Sequence, residues 1–115
     1  MSEYKVFCIV ITYRPDAAHL QRVLASIAQH TPHVILVDNT PGPHAAIATP
    51  EGVQCITLGE NLGIAVAQNI GIRQALDQGA DLVWLSDQDT IYPENFLANM
   101  LTALRACQAQ GIRLA

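Results

Sequence analysis

Four short apolar runs constrain this chain more than any other feature of its sequence. They cover residues 6–11, 34–37, 53–58 and 82–86. Runs of this length, rich in β-branched residues, are typical of strands buried on both faces of a sheet. The third run carries interspersed polar residues and predicts a half-buried strand. Because half of the residues are hydrophobic and only 14% are charged, the runs predict the core of a globular protein.

Segments with helical periodicity lie between and after these runs. The first starts at Asp16 and stops at Thr31-Pro32, since proline restricts the residue before it. The second covers residues 64–77, and the third begins near Pro93, a good residue for a first turn. Alternating strands and helices predict an α/β fold with a mostly parallel sheet and flanking helices. At 115 residues, a single domain spanning 1–115 is expected.

Composition and spacing exclude several classes of function. The net charge is -4 and no cluster of lysine or arginine is present, which argues against a nucleic-acid partner. No apolar run approaches the roughly 20 residues that span a bilayer, and the start lacks the basic region of a secretory signal. A cytoplasmic location is therefore expected, with the inner face of the membrane as a second option.

The cysteines and histidines show no metal-ligand spacing. We expect Cys8, Cys55 and Cys107 to be buried free thiols, because each lies in an apolar stretch. The histidines are expected at the surface; they are His19, His30, His33 and His44.

Polar residues follow three of the predicted strands, where ligands bind in parallel α/β sheets. They are Thr12-Tyr13, Asp38-Asn39 and Asp87-Gln88-Asp89. Asp38 could accept hydrogen bonds from a ribose hydroxyl or a base N–H, or form a turn into Pro41-Gly42. Tyr13 could stack on a base or cover the first helix. The sequence after the first strand lacks the glycine-rich turn of dinucleotide-binding folds, and no P-loop is present.

Asp87 and Asp89 lie one residue apart directly after a strand, where their mutual repulsion needs an offsetting charge. Mg²⁺ or Mn²⁺ commonly takes one or two carboxylates together with substrate phosphates. The pair therefore predicts a metal site that faces a diphosphate. The alternative is a solvated turn, with Asp89 as the cap of the last helix.

The sequence Asn61-Leu62-Gly63 opens the second predicted helix. Backbone N–H groups at the start of a helix can bind an anion, so Asn61 and Gly63 are candidates for nucleotide binding. The alternative is a tight turn with Asn61 as the cap.

In order and spacing, these motifs resemble the glycosyltransferases of family 2 with the GT-A fold, from Lys5 to the end of the chain. The matching segments are Val10-Ile11-Thr12-Tyr13, Val37-Asp38-Asn39, Asn61-Leu62-Gly63, Asn69-Ile70-Gly71 and Leu85-Ser86-Asp87-Gln88-Asp89. The Asp-Gln-Asp form and Ala67-Gln68-Asn69 are similar to the rhamnosyltransferase-like branch, whose usual donor is dTDP-rhamnose. The resemblance implies a Rossmann-like GT-A half-domain.

The resemblance also implies roles for the candidate residues. Thr12 and Tyr13 would line the base pocket, and Asp38 would bond the pyrimidine or the ribose. Asp87 would face the ribose or a metal-bound water, and Asp89 would ligate the Mg²⁺ or Mn²⁺ that bridges the diphosphate. The implied reaction transfers a sugar, from dTDP-rhamnose or a UDP-sugar, to a saccharide acceptor in cell-surface polysaccharide synthesis.

The resemblance implies a general base beyond Ala115, so no catalytic base is expected in this chain. We expect a truncated glycosyltransferase domain that binds the donor and transfers poorly. The alternative is a non-catalytic nucleotide-binding or assembly module. The last four residues would begin another strand. The fourth strand would keep a free edge, which could pair with a second copy of the chain.

Overall fold

The computed structural model describes residues 4–111, which form a parallel four-stranded sheet with three helices. The elements are β1 Val6–Thr12, α1 Ala17–Ala28, β2 Val34–Asp38, β3 Val53–Thr57, α2 Ile64–Asp77, β4 Leu82–Ser86 and α3 Phe96–Ala109. The strand order is β3-β2-β1-β4, and each neighbouring pair is parallel. The predicted α/β fold is confirmed. None of the helices in the described range is long and apolar enough to cross a membrane.

Strand β1 lies at the centre of the sheet and is buried along its whole length. Successive side chains of a strand point to opposite faces. Cys8 and Val10 pack on the side of α1, and Ile9 and Ile11 pack on the side of α2. A strand covered on both faces needs apolar residues at every position, which explains the unbroken apolar run.

Helix α2 approaches the sheet closely because Gly71 has no side chain. A Cβ atom at this position would lie 2.4 Å from Cγ2 of Ile9 and 3.2 Å from Cγ2 of Val37. The first distance is shorter than any ordinary contact between carbon atoms. Gly71 therefore sets the distance between α2 and the two central strands.

Strand β4 is less buried than its apolar sequence predicts. Three of its five residues are half-buried, and Leu85 is 45% exposed. Within residues 4–111, β4 pairs only with β1 and forms one end of the sheet. The predicted free edge is thus confirmed for the described residues, and pairing with a second copy stays a prediction.

The last helix begins at Phe96 and not near Pro93. Residues 93–95 form a turn in which the carbonyl of Pro93 accepts from the Phe96 amide at 3.1 Å. Asn95 is the cap of this helix, so the alternative role of Asp89 as its cap is wrong. The predicted apolar face of α3 lines a groove of about 370 Å³ beside β4. The predicted strand at the end of the chain lies outside the described residues.

Only one of the three cysteines is buried. Cys8 lies in the core, where burial raises the pKa of its thiol. Cys55 is exposed because β3 is an edge strand, and Cys107 is half-buried because α3 packs at the periphery. The expectation of three buried thiols is wrong for Cys55 and Cys107.

We expect Gly71→Ala to lower the free energy of unfolding. Alanine favours a helix by about 1 kcal/mol over glycine, but the contact with Ile9 costs about 1–3 kcal/mol of overpacking. Denaturant unfolding of Gly71→Ala, Ile9→Ala and the double variant measures the balance. In the Ile9→Ala background, Gly71→Ala should lower the free energy of unfolding less than in the original chain, or should raise it. Equal effects of Gly71→Ala in both backgrounds would contradict this account of the close approach.

Candidate functional site

The polar residues that follow the strands meet in a pocket of about 260 Å³ at the carboxyl edge of the sheet. We call it the edge pocket. Its polar lining consists of Thr12, Tyr13, Asn39, Asn61, Asp87, Gln88 and Asp89. The groove between β4 and α3 is larger, but its lining contains no charged residue. Converging polar groups identify a site better than volume does, so the edge pocket is the candidate site.

Asp38 lies behind the edge pocket and is fully buried. Its Oδ1 atom accepts from the hydroxyl of Thr12 at 2.9 Å, and from the hydroxyl and amide of Thr40 at 2.7 and 3.2 Å. Its Oδ2 atom lies 3.1 Å from Nε2 of His44, without a hydrogen bond of good geometry. In this arrangement Asp38 ties the ends of β1 and β2 together, and it does not form part of the pocket wall.

Tyr13 lies in the pocket wall with 44% of its surface exposed. The guanidinium of Arg14 lies 5.4 Å from the centre of its ring, and Arg14 Nε donates to its hydroxyl at 3.2 Å. Arg14 has a φ of 45°, a left-handed conformation that costs about 1–2 kcal/mol for a residue other than glycine. Its amide donates to Thr40 Oγ1 at 2.8 Å, and this bond helps to hold the turn. The backbone that follows Tyr13 is therefore fixed by the Asp38 network.

Asp87 uses both of its carboxylate oxygens to close the turn after β4. Oδ1 accepts from the amides of Asp89 and Thr90 at 2.9 and 2.8 Å, and Oδ2 accepts from the Thr90 hydroxyl at 3.1 Å. Partial desolvation raises the pKa of Asp87, but these hydrogen bonds outweigh it and hold the pKa below its ordinary value. Asp87 is therefore ionised at neutral pH.

Asp89 lines the edge pocket, and its carboxylate makes no hydrogen bond or ion pair with residues 4–111. The backbone of Asp89 is held by His19, whose Nε2 lies 2.8 Å from the Asp89 carbonyl. A carbonyl only accepts, so Nε2 of His19 is the donor of this bond. The backbone of the turn is thus held in place, and Asp89 adds one carboxylate that has no partner among residues 4–111.

The described residues contain no group of three or more potential ligands from histidine, cysteine, aspartate and glutamate. The carboxylate oxygens of Asp87 and Asp89 fit the arrangement in which Mg²⁺ or Mn²⁺ takes one or two carboxylates together with phosphate oxygens.

The turn before α2 is held by Asn39 and Asn61. Asn39 accepts from the Leu62 amide and donates to the Gly63 carbonyl, both at 3.2 Å. Asn61 accepts from the Gly63 amide at 3.0 Å, and Gly63 itself is the helix cap, with a φ of 87°. Asn61 lines the edge pocket, but the lining does not include Gly63. A direct bond from the Gly63 amide to a ligand would require its bond to Asn61 to open.

Sequence analysis assigned no role to Gln88, His19, Thr40 and His44, although each contacts a predicted site residue. The sequence does indicate a role for Gln88, because this residue lies between the two aspartates and must share their turn. Nothing in the sequence indicates a role for His19 or Thr40, since a histidine in a helix and a threonine in a turn are common at the surface. For His44, the only indication of a role is its position in the loop that follows Asp38.

We expect Thr12→Val to destabilise the fold more than Thr12→Ser. Valine has the shape of threonine but removes a hydrogen bond to a buried carboxylate, at a cost of about 1.5–3 kcal/mol. Serine keeps the hydroxyl and loses one methyl group, at a cost of about 1 kcal/mol. Denaturant unfolding of both variants makes the comparison. A valine variant as stable as the serine variant would show that the Asp38 network does not hold β1.

The chain is similar in sequence to known glycosyltransferases. Residues 7–112 match the model of the family Glycosyl transferase family 2. The dTDP-rhamnosyl transferase RfbF of Shigella flexneri is 33% identical over 97 residues, which cover 83% of this chain and 33% of that relative. The galactofuranosyltransferase GlfT1 of Mycobacterium tuberculosis strain H37Rv is 36% identical over 109 residues, which cover 89% of this chain and 35% of that relative. The chain thus spans about a third of the length of these curated relatives. Because the family match runs through nearly the whole sequence, the chain belongs to glycosyltransferase family 2.

Proposed function

We propose that this chain supplies the donor-binding half of a glycosyltransferase. The donor is a nucleoside-diphosphate sugar, and the acceptor is a saccharide in the synthesis of a cell-surface polysaccharide. The observation that carries the proposal is the edge pocket, where the exposed ring of Tyr13 and the free carboxylate of Asp89 line the same cavity. A nucleoside diphosphate has a flat base at one end and a charged diphosphate at the other, and these two features match it.

The base end of the site is formed by Tyr13 and Thr12. The Tyr13 ring offers a stacking surface for a pyrimidine, and such stacking is worth about 1–3 kcal/mol. The Thr12 hydroxyl donates a hydrogen bond to Asp38, which lies behind the pocket. Asp38 is fully buried and does not line the edge pocket, so a direct bond from Asp38 to the pyrimidine or the ribose requires a rearrangement that exposes its carboxylate. Asn61 stands in the same lining and can bond the nucleotide through its amide.

The diphosphate end is formed by Asp89 and Asp87. Asp89 would ligate Mg²⁺ or Mn²⁺, and Asp87 would add a ligand or bond a ribose hydroxyl while it closes the turn. When bound, the cation supplies Lewis-acid stabilisation of the leaving nucleoside diphosphate. Asp87 keeps the turn in shape, and the bond from His19 keeps the Asp89 backbone in place. We assign these residues to donor binding and not to deprotonation of the acceptor.

Two relatives support different donors. The Shigella flexneri protein is named as a dTDP-rhamnosyl transferase, and the Mycobacterium tuberculosis protein as a galactofuranosyltransferase. The Asp-Gln-Asp sequence favours dTDP-rhamnose for this chain, with a UDP-sugar as the second choice. Titration with dTDP and with UDP separates the two.

We expect dTDP to bind this chain more tightly in the presence of Mn²⁺, and we expect Asp89→Ala to abolish that increase. The reason is that the free carboxylate is the ligand that brings the cation to the diphosphate. Calorimetric titration of dTDP and of UDP, with and without Mn²⁺, measures the effect. Asp77→Ala, which removes an exposed aspartate at the end of α2, is the matched control.

Equal binding with and without Mn²⁺, or an Asp89→Ala variant that responds to Mn²⁺ like the original chain, would contradict the metal role. Absence of binding to either nucleotide under all conditions would contradict the donor-binding function. Binding without sugar transfer to any acceptor would favour the alternative of a non-catalytic nucleotide-binding module.

A further inference from the structure

We infer that Gln88 is a positioning residue that joins the two walls of the edge pocket, an inference that rests on the proposed function. One wall is formed by Tyr13 after β1, and the other by Asp87 and Asp89 after β4. Gln88 holds the backbone of Tyr13 at a fixed place relative to the two carboxylates. We call the pair of hydrogen bonds that does this the Gln88 clamp.

The clamp uses both polar atoms of the glutamine side chain. Oε1 of Gln88 accepts from the amide of Tyr13 at 2.7 Å, and Nε2 of Gln88 donates to the carbonyl of Tyr13 at 3.3 Å. One side-chain amide thus satisfies both backbone groups of a single residue, as a neighbouring strand would. The two residues are 75 positions apart in the chain.

The clamp begins where pairing between β1 and β4 ends. The parallel register of these strands stops at Val10 and Ser86, although β1 continues to Thr12 beside β2. Backbone groups that leave a sheet need other partners. Gln88 supplies them for Tyr13, and it does so from the turn that carries the carboxylates.

Both sides of the clamp are themselves fixed. On the β4 side, Asp87 closes the turn around Gln88, and His19 holds the carbonyl of Asp89. On the β1 side, the amide of Arg14 bonds to Thr40. A hydrogen-bonded pair between two fixed segments sets the spacing between them, whereas a pair between mobile segments would not.

The side chain at position 88 must satisfy two requirements. It needs a donor and an acceptor on the same planar group, and it needs the length to reach a residue on the neighbouring strand's turn. Asparagine has the group but is one methylene shorter. Methionine has a similar length but neither a strong donor nor a strong acceptor. Glutamine meets both requirements.

A ligand that stacks on Tyr13 and places its diphosphate at Asp89 touches both walls, so it gains from a spacing that is set before binding. A ligand that touches only the wall formed by Tyr13 gains much less. The clamp therefore predicts a selective loss when Gln88 is replaced: nucleoside diphosphate affinity falls, while the affinity for the nucleoside changes little.

The test compares Gln88→Ala and Gln88→Met with the original chain. We expect the affinity for dTDP with Mn²⁺ to fall about tenfold in both variants, which corresponds to about 1.4 kcal/mol. Thymidine affinity, measured by NMR titration, should change less than about threefold. Gln74→Ala replaces an exposed glutamine of α2 and should leave both affinities unchanged.

Three results would overturn the inference. The first is a Gln88→Ala variant with the dTDP affinity of the original chain. The second is an equal loss of affinity for dTDP and for thymidine, because Gln88 would then affect only the wall formed by Tyr13. The third is a tenfold loss of dTDP affinity in Gln74→Ala as well, which would mean that the effect is not specific to position 88.

Hydrogen exchange at the Tyr13 amide distinguishes failure of the clamp from failure of the proposed function, since it needs no ligand. We expect the protection of this amide to be lost in Gln88→Ala and kept in Gln74→Ala. If the original chain binds neither dTDP nor UDP, this protection pattern upholds the clamp while the proposed function fails. Protection that persists in Gln88→Ala overturns the clamp whatever the chain binds.

Discussion

The carboxylate of Asp38 is fully buried, and the shape of the sheet's carboxyl edge depends on how that charge is satisfied. A buried carboxylate is costly unless hydrogen bonds and countercharges replace its water. Here the donors are Thr12 at the end of β1 and Thr40 beyond β2, with His44 near the second oxygen. Thr40 in turn accepts from the amide of Arg14 in its left-handed conformation. One charge thus holds two strand ends and the turn beside Tyr13.

The two aspartates after β4 differ in the partners of their carboxylates. The carboxylate oxygens of Asp87 accept hydrogen bonds from backbone amides and a hydroxyl of its own turn, and these bonds lower its pKa. The backbone of Asp89 is held by His19, and Asp89 lines the pocket. Because Asp87 closes the turn through its own hydrogen bonds, the backbone at Asp89 is held while its carboxylate keeps no partner among residues 4–111.

Periodicity and turn residues were enough to predict the sheet, the bounds of α2 at residues 64–77 and the meeting of polar residues at one edge. They failed where local sequence is a weak guide to burial. Leu85 and Cys55 lie in apolar runs, yet they are exposed because their strands are at the ends of the sheet. Side-chain partners such as Gln88 with Tyr13 could not be predicted, because they depend on the register of two strands far apart in sequence.

The strand order also determines when the pocket forms during synthesis. The bond between Thr12 and Asp38 joins residues 26 positions apart, whereas Gln88 lies 75 positions beyond Tyr13. Contacts between distant residues form late because the intervening chain must first be ordered. During synthesis, the residues of β1 and β2 therefore leave the ribosome before those of β4. The turn after β4 is the last part of the edge pocket to be synthesised, so the pocket is complete only when β4 pairs with β1.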